Sequence, residues 1–269
     1  MYKKSFVTIS ILLILSILFS FSVSFAKEYK EFIVSSETIK KGIISLRYNT
    51  ESNNRLKVMI KKDGQAYYYD ISKNETENFP LQMGNGKYNI ALLENIEGKK
   101  YRIVDRDDLV FNTSKINSVF LNSIQNINWN LEMDSIKKAK ELTKGLESDL
   151  EKINVIYNYI VNNIEYDYKK IDQIDNKYIP NIEDTLHNKK GICYDYSSLF
   201  AAMLRSLDIP TKLVKGYKND IDVYHAWNEV YIDDKWVIID TTYDSVKLDR
   251  GDSYSMIKNK IEYDKSKEY

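Results

Sequence analysis

One cysteine and two histidines bound the nucleophilic chemistry open to this chain of 269 residues. The cysteine lies in Gly191-Ile192-Cys193-Tyr194-Asp195-Tyr196-Ser197. A thiol attacks as its thiolate, and the positive N-terminal end of a helix favours that form. Gly191 permits a close, sharp backbone turn just before it. Unpaired N–H groups at such a terminus can also hold a developing oxyanion. The plainer alternative is a small buried hydrophobe, the ordinary role of a lone Cys. A base would decide between the two, and His225 is placed to be one. It lies in Val223-Tyr224-His225-Ala226-Trp227-Asn228-Glu229-Val230, which reads as a strand. If Asp233-Asp234 is a two-residue turn, Ile232 pairs with Lys235, Trp227 with Asp240 and His225 with Thr242. His225 and Asp240 then share a face on a diagonal of about 7–8 Å, within side-chain reach. The carboxylate can take one imidazole N–H and leave the other nitrogen to meet the Cys193 sulfur. His187, in polar surroundings, reads as a surface residue, and one Cys with two His makes a structural zinc site improbable.

Several elements must position these groups. From Cys193 onward, Tyr196, Leu199, Phe200, Met203, Leu204 and Leu207 form an apolar stripe at helical spacing. Asp208-Ile209-Pro210 ends it, because the residue before a proline avoids helix. Thr211 to Tyr217, Val223 to Ile232 and Lys235 to Asp240 read as strands, and the segment after Asp244 as a charged tail with a short element near Tyr254 to Ile257. Upstream, Asp134 is placed to cap a helix that Gly145 ends. Ser148 opens another, with Leu150, Ile153, Ile156, Tyr157, Ile160 and Ile164 on its apolar face. A loop is expected from Pro180 to Asn188. Residues 27–125 have a different texture, with five or six short strands and turns at Lys62-Asp63-Gly64-Gln65 and Gly84-Asn85-Gly86. They read as a small all-β sandwich or barrel without a cluster of chemical groups.

These spaced motifs carry a family likeness. Gly191-x-Cys193-x-Asp195-Tyr196-x-x-Leu199, then Ile209-Pro210 before a strand ending Gly216-Tyr217, then His225-Ala226-Trp227-Asn228-Glu229-Val230, then Trp236-x-x-x-Asp240-Thr241-Thr242 resemble the transglutaminase-like superfamily of papain-like thiol enzymes. The likeness covers roughly residues 130–245. It implies an α+β core in which the Cys193 helix packs on an antiparallel sheet bearing His225 and Asp240. It implies Cys193 as nucleophile, His225 as general base and acid, and Asp240 as orienter, working through a thioester acyl-enzyme. Water then gives hydrolysis and an amine gives a crosslink. Tyr166 is the candidate oxyanion partner and Trp227 the candidate residue flanking the substrate. No metal and no cofactor are expected.

Residues 1–26 read as a signal peptide, or as a membrane anchor if uncleaved. Lys3 and Lys4 precede an uncharged apolar run, and Ser24-Phe25-Ala26 supplies small residues at a cleavage position. The expected organisation is 1–26 as this segment, 27–125 as the β domain and 126–269 as the transglutaminase-like domain. A composition rich in Lys, Asn, Ile and Tyr with three Pro fits an AT-rich bacterial genome. Net charge is zero, so nothing suggests a polyanion partner, and no nucleic acid is expected. The expectation is a secreted thiol enzyme, acyltransferase or cysteine protease, acting on amide bonds of proteins or peptides, cell-wall and surface proteins among them. The alternative is a non-catalytic surface binding or assembly module on the same scaffold.

Overall fold

The computed structural model describes residues 32–34 and 36–269. The segment expected to direct export, 1–26, lies outside the described residues. No helix among them is long and apolar enough to cross a membrane.

The N-terminal region is mostly strand. Its elements are β1 (Phe32–Val34), a single helical turn α1 (Ser36–Ile39), β2 (Ile43–Tyr48), β3 (Leu56–Lys62), β4 (Gln65–Ile71), β5 (Thr76–Pro80), β6 (Gly86–Glu97) and β7 (Lys100–Phe111). They make a three-stranded sheet, β1-β2-β5, and a four-stranded sheet, β4-β3-β6-β7. The β3–β4 hairpin closes at Asp63 and Gly64, both at positive φ, as a two-residue turn matched to strand twist requires. Alternating buried positions give each sheet an apolar face, and Tyr69 of β4 meets Phe79 of β5 at 4.9 Å between ring centroids. Tyr101–Val104 and Leu109–Phe111 are parts of the one strand β7. A register shift opposite Leu92 and Leu93 lets β7 stay paired along β6.

The chain then becomes helical: a 3-10 turn (Ile116–Leu121), α2 (Asp134–Leu142) and α3 (Asp149–Asn163). Asp134 is the first residue of α2 rather than its cap. The acceptor for the Asp134 and Ser135 N–H groups is the Glu183 carboxylate, at 2.8 and 2.9 Å. Ser148 does cap α3, in a reciprocal pair with Glu151. Next come β8 (Glu165–Tyr166), α4 (Ile182–Asn188), β9 (Lys190–Gly191) and α5 (Cys193–Arg205). The α4 helix stands where a loop is expected from sequence. Asn181 caps it, and Lys189 ends it in the left-handed conformation.

Helix α5 is buried almost all round. It packs on a five-stranded antiparallel sheet of order β13-β12-β11-β10-β14, built from β10 (Thr211–Lys218), β11 (Ile221–Ile232), β12 (Lys235–Ile239), β13 (Ile257–Lys258) and β14 (Tyr263–Glu268). Helix α6 (Thr241–Asp249) and a second 3-10 turn (Lys260–Glu262) connect the last strands. The segment expected as a charged tail therefore holds a helix and two strands. The architecture is α+β, a mainly β region ahead of a helix-on-antiparallel-sheet core. The apolar interior is continuous between the two: Tyr69 and Tyr67 pack on Tyr269, and Gln82 donates to the Glu268 carbonyl.

Candidate active site

The start of α5 is locked before any chemistry is considered. Ile192 is extended, and its N–H donates to Asp195 Oδ2 at 2.9 Å. Asp195 is fully buried and also accepts from Lys170 Nζ at 2.7 Å and from the Tyr178 hydroxyl. Its negative charge sits at the positive end of α5 with a lysine to balance it. A Cβ on Gly191 would lie 2.7 Å from the Asp195 Cβ, so only glycine lets the backbone pass this carboxylate. Parallel pairing of Tyr166 with Gly191, and the Asp167 N–H on the Gly191 carbonyl at 2.9 Å, hold the turn from the other side. Asn228 of β11 donates to the Ser197 and Lys212 carbonyls, which clips α5 to the sheet. Cys193, half-buried, is thus presented at a fixed helix start. Lys170, Tyr178 and Asn228 were not singled out from sequence. Their partners lie 16 to 31 residues away, outside any local pattern.

His225 comes from β11. The β11–β12 hairpin turns at Asp233-Asp234, with Ile232 opposite Lys235 and Asn228 opposite Ile239, the register read from the sequence. Pairing stops there, because the chain enters α6 at Thr241, so Thr242 does not lie across from His225 as that register extended would place it. Asp240 occupies the junction. Its Oδ1 accepts the Tyr243 N–H at 3.0 Å and caps α6, while its Oδ2 lies 2.8 Å from His225 Nε2 and accepts from the Tyr263 hydroxyl at 3.0 Å. Asp240 is fully buried and His225 is 5% exposed.

The electrostatics follow from these contacts. Burial works to lower the His225 pKa, but the Asp240 charge and hydrogen bond, with a hydrogen bond and charge from Cys193, push it up to about 10. Burial works to raise Asp240, and the charge and hydrogen bond of His225, the Tyr243 N–H and the Tyr263 hydroxyl together bring it below the usual carboxylate range. An ionised carboxylate only accepts, so Nε2–H donates to Asp240. Nδ1 is then the ring nitrogen left for the Cys193 sulfur.

Tyr166 lines the cleft beside Cys193, half-buried, with its ring edge-on to Tyr168 at 4.8 Å. Burial and the Cys193 charge both push its phenol up, so it stays a neutral donor. Trp227, expected to flank the substrate, does not line the cleft. It is 1% exposed, packed with Val214, Ile238 and Tyr263, and stacked at 6.2 Å on the His225 ring. The cause is strand alternation: Trp227 shares the His225 face two residues further along β11, where the sheet is covered. His187 is exposed and lies 3.1 Å from Asp134. With Glu183 these two form a group whose potential ligand atoms all lie within 4.8 Å. Both Glu183 oxygens already accept the N–H groups that start α2.

Residues 136–241 match the model of the transglutaminase-like superfamily, a stretch that contains Cys193, His225 and Asp240. Over that stretch, about two-fifths of its length, the chain is similar to that superfamily. Among curated relatives, mouse kyphoscoliosis peptidase is 29% identical over 121 residues, which is 41% of this chain and 18% of that protein. A UPF0252 protein of Methanocaldococcus jannaschii is 30% identical over 119 residues, 39% of this chain and 33% of that one. The chain therefore spans a third or less of the length of either. Among solved structures, the periplasmic domain of TgpA from Pseudomonas aeruginosa is similar at 12% identity and a TM-score of 0.39, over 82% of this chain and 95% of that one. The match to the superfamily model supports a thiol-enzyme-like scaffold over residues 136–241.

Proposed function

We propose that this protein is a thiol enzyme that cleaves or transfers amide bonds of proteins or peptides through a thioester on Cys193. The observation that carries the reading is His225 Nε2 held 2.8 Å from a buried carboxylate while its other nitrogen is left for the thiol. A raised imidazole beside a thiol favours the thiolate–imidazolium pair. The Cys193 sulfur attacks the amide carbon, and the carbonyl oxygen takes the negative charge. The N–H groups at the start of α5 and the hydroxyl of Tyr166, which lines the same cleft, are its proposed donors. As the C–N bond breaks, His225 gives its proton to the departing amine and a thioester remains. Water or a second amine then attacks the thioester. His225 accepts the proton from that attacker, and the thiolate leaves. Asp240 acts through His225 as a positioning residue. The apolar N-terminal segment supports action outside the cytoplasm, on surface or wall-associated polypeptides.

Incubation of the protein with a glutamine-rich polypeptide and a labelled amine, and separately with denatured protein, tests this reading. Incorporation of the amine or release of peptides is expected, and Cys193→Ala should abolish either. Iodoacetamide at pH 6 should alkylate Cys193 far faster than glutathione under the same conditions. Slow alkylation with no turnover on any amide would favour a binding module instead.

A further inference from the structure

The cleft that opens onto Cys193 and His225 has a volume of about 430 Å³, within the range of pockets that take small ligands. Three segments supply most of its walls, one of them the α6 stretch with Tyr243, Val246, Lys247 and Arg250. Tyr168, Ile171 and Ile174 follow β8 on one side, and Val223 and Tyr224 begin β11 on the other. Tyr168 is 64% exposed and Val223 62%. Ile171 and Tyr224 are exposed too. A single apolar side chain in solvent needs no explanation, but several converging on a cavity beside a nucleophile do. The acids and bases at this wall are largely spoken for. Asp220 accepts from the Tyr243 hydroxyl at 2.8 Å and pairs with Lys218, and Lys247 pairs with Asp252 at 3.3 Å. Among the described residues only Arg250, exposed at the mouth, lines the cleft without an acidic partner within 4.0 Å.

We infer that this cleft is the side-chain pocket for the acyl donor, and that it selects a bulky aromatic or aliphatic residue adjoining the attacked carbonyl. The inference rests on the acyl-enzyme reading above. The group bonded to that carbonyl must lie beside Cys193, and the cleft is the space there. A glutamine γ-amide would bring only a thin, unbranched chain and leave these rings and branched side chains in water. A peptide-bond carbonyl with a large apolar side chain covers them, and every methylene buried adds to binding. The structure therefore favours a backbone amide over a side-chain amide as the bond attacked.

The test uses the full chain and three capped peptidyl fluoromethyl ketones that differ only in the residue carrying the ketone: Phe, Ala or Asp. The rate of Cys193 labelling is read by mass spectrometry, with iodoacetamide in parallel. The Phe reagent should label about 100-fold faster than the Ala reagent, the scale on which an apolar pocket discriminates. The Asp reagent should be no faster than Ala. Val223→Ser and Ile171→Ser, neutral changes at exposed positions, should bring the Phe rate, divided by each variant's own iodoacetamide rate, down to about the Ala rate. Equal Phe and Ala rates, or a faster Asp reagent drawn by Arg250, would overturn the pocket while fast iodoacetamide labelling left the enzyme reading intact. If no reagent labels the thiol, the enzyme reading falls. Binding of the parent Phe and Ala peptides to Cys193→Ala then tests the pocket alone, with equal affinity overturning it.

Discussion

Asp240→Asn removes one charge and almost no volume. Asparagine caps helices as well as aspartate does, so the Tyr243 N–H keeps its acceptor and α6 keeps its start. The negative charge 2.8 Å from His225 Nε2 is lost. In the parent, that charge is the largest influence opposing burial, and the imidazole rises from 6.5 to about 10. At 1.36 kcal/mol per pH unit, the climb favours the imidazolium by on the order of 5 kcal/mol. With asparagine at 240, only the Cys193 hydrogen bond and charge still oppose burial, and the imidazole is expected to be largely neutral at pH 7. His187→Gln at the exposed second histidine leaves His225 as the sole imidazole, so its ring protons can be titrated by NMR without overlap. They should titrate near pH 10 in this background and below 7 once Asp240→Asn is added. Stability carries the same signature. Between the unfolded value near 6.5 and the folded value near 10, the native state binds the extra proton. The contribution of His225 is thus complete below about pH 6.5 and falls through that window by about 1.4 kcal/mol per pH unit. Asp240, lowered in the fold, contributes above its unfolded value near 3.9 and loses that contribution in acid. Urea unfolding at pH 7 and pH 9 should show the parent losing roughly 3 kcal/mol more than the variant. Lys215, which burial lowers to about 8, titrates in the same window in both proteins, so its contribution cancels in the difference between the two curves, which reports His225 together with its partner Cys193. A parent imidazole titrating near 6.5, or equal slopes in the two proteins, would refute the reasoning.

Three further substitutions probe the scaffold and the chemistry. Asp195→Asn keeps an acceptor for the Ile192 N–H but strands Lys170, and should cost about 3 kcal/mol in urea unfolding, as breaking a buried pair does. Gly216→Ala would put a Cβ 2.0 Å from the Asp264 carbonyl and 2.8 Å from the Trp227 ring. It should lower stability by roughly 3 kcal/mol through overpacking, read by thermal melting, and should slow Cys193 alkylation because β14 carries Tyr263. Tyr166→Phe removes a hydroxyl and leaves the ring. If that hydroxyl holds the oxyanion, kcat should fall about 100-fold with KM little changed, and an unchanged kcat would assign Tyr166 to packing alone.

The sequence was most legible where a local rule decides structure. The apolar stripe of α5, its stop at Pro210 and the two-aspartate turn each depend on neighbours within a few residues, and the hairpin register brought His225 and Asp240 to one face. What could not be read were partners supplied from far along the chain. The α2 start is satisfied by Glu183, not by its own Asp134, because an acceptor can come from any element that packs nearby. Helix α6 has no strong apolar face, so Thr241–Asp249 looks like a polar tail. It is held instead by the buried Asp244, which pairs with Lys258 and accepts from the Tyr157 hydroxyl at 2.7 Å. Strand β14 reads Tyr-Asp-Lys-Ser-Lys-Glu, with no apolar alternation, since it is an edge strand whose solvated side chains obscure its pairing with β10. Trp227 was misplaced for a related reason: period two gives the face, but not what covers it.

Tyr263 gives the site a timetable. A ribosome makes Cys193 first, His225 next, Asp240 15 residues later and Tyr263 a further 23 residues on. At about 5–20 residues per second, the thiol exists for several seconds before its last partner is synthesised. Through that interval the imidazole lacks the complete buried set of Asp240 and Tyr263 that charges it in the fold. On the proposed reading, the His225–Asp240–Tyr263 contacts are complete only once the sheet closes on β14.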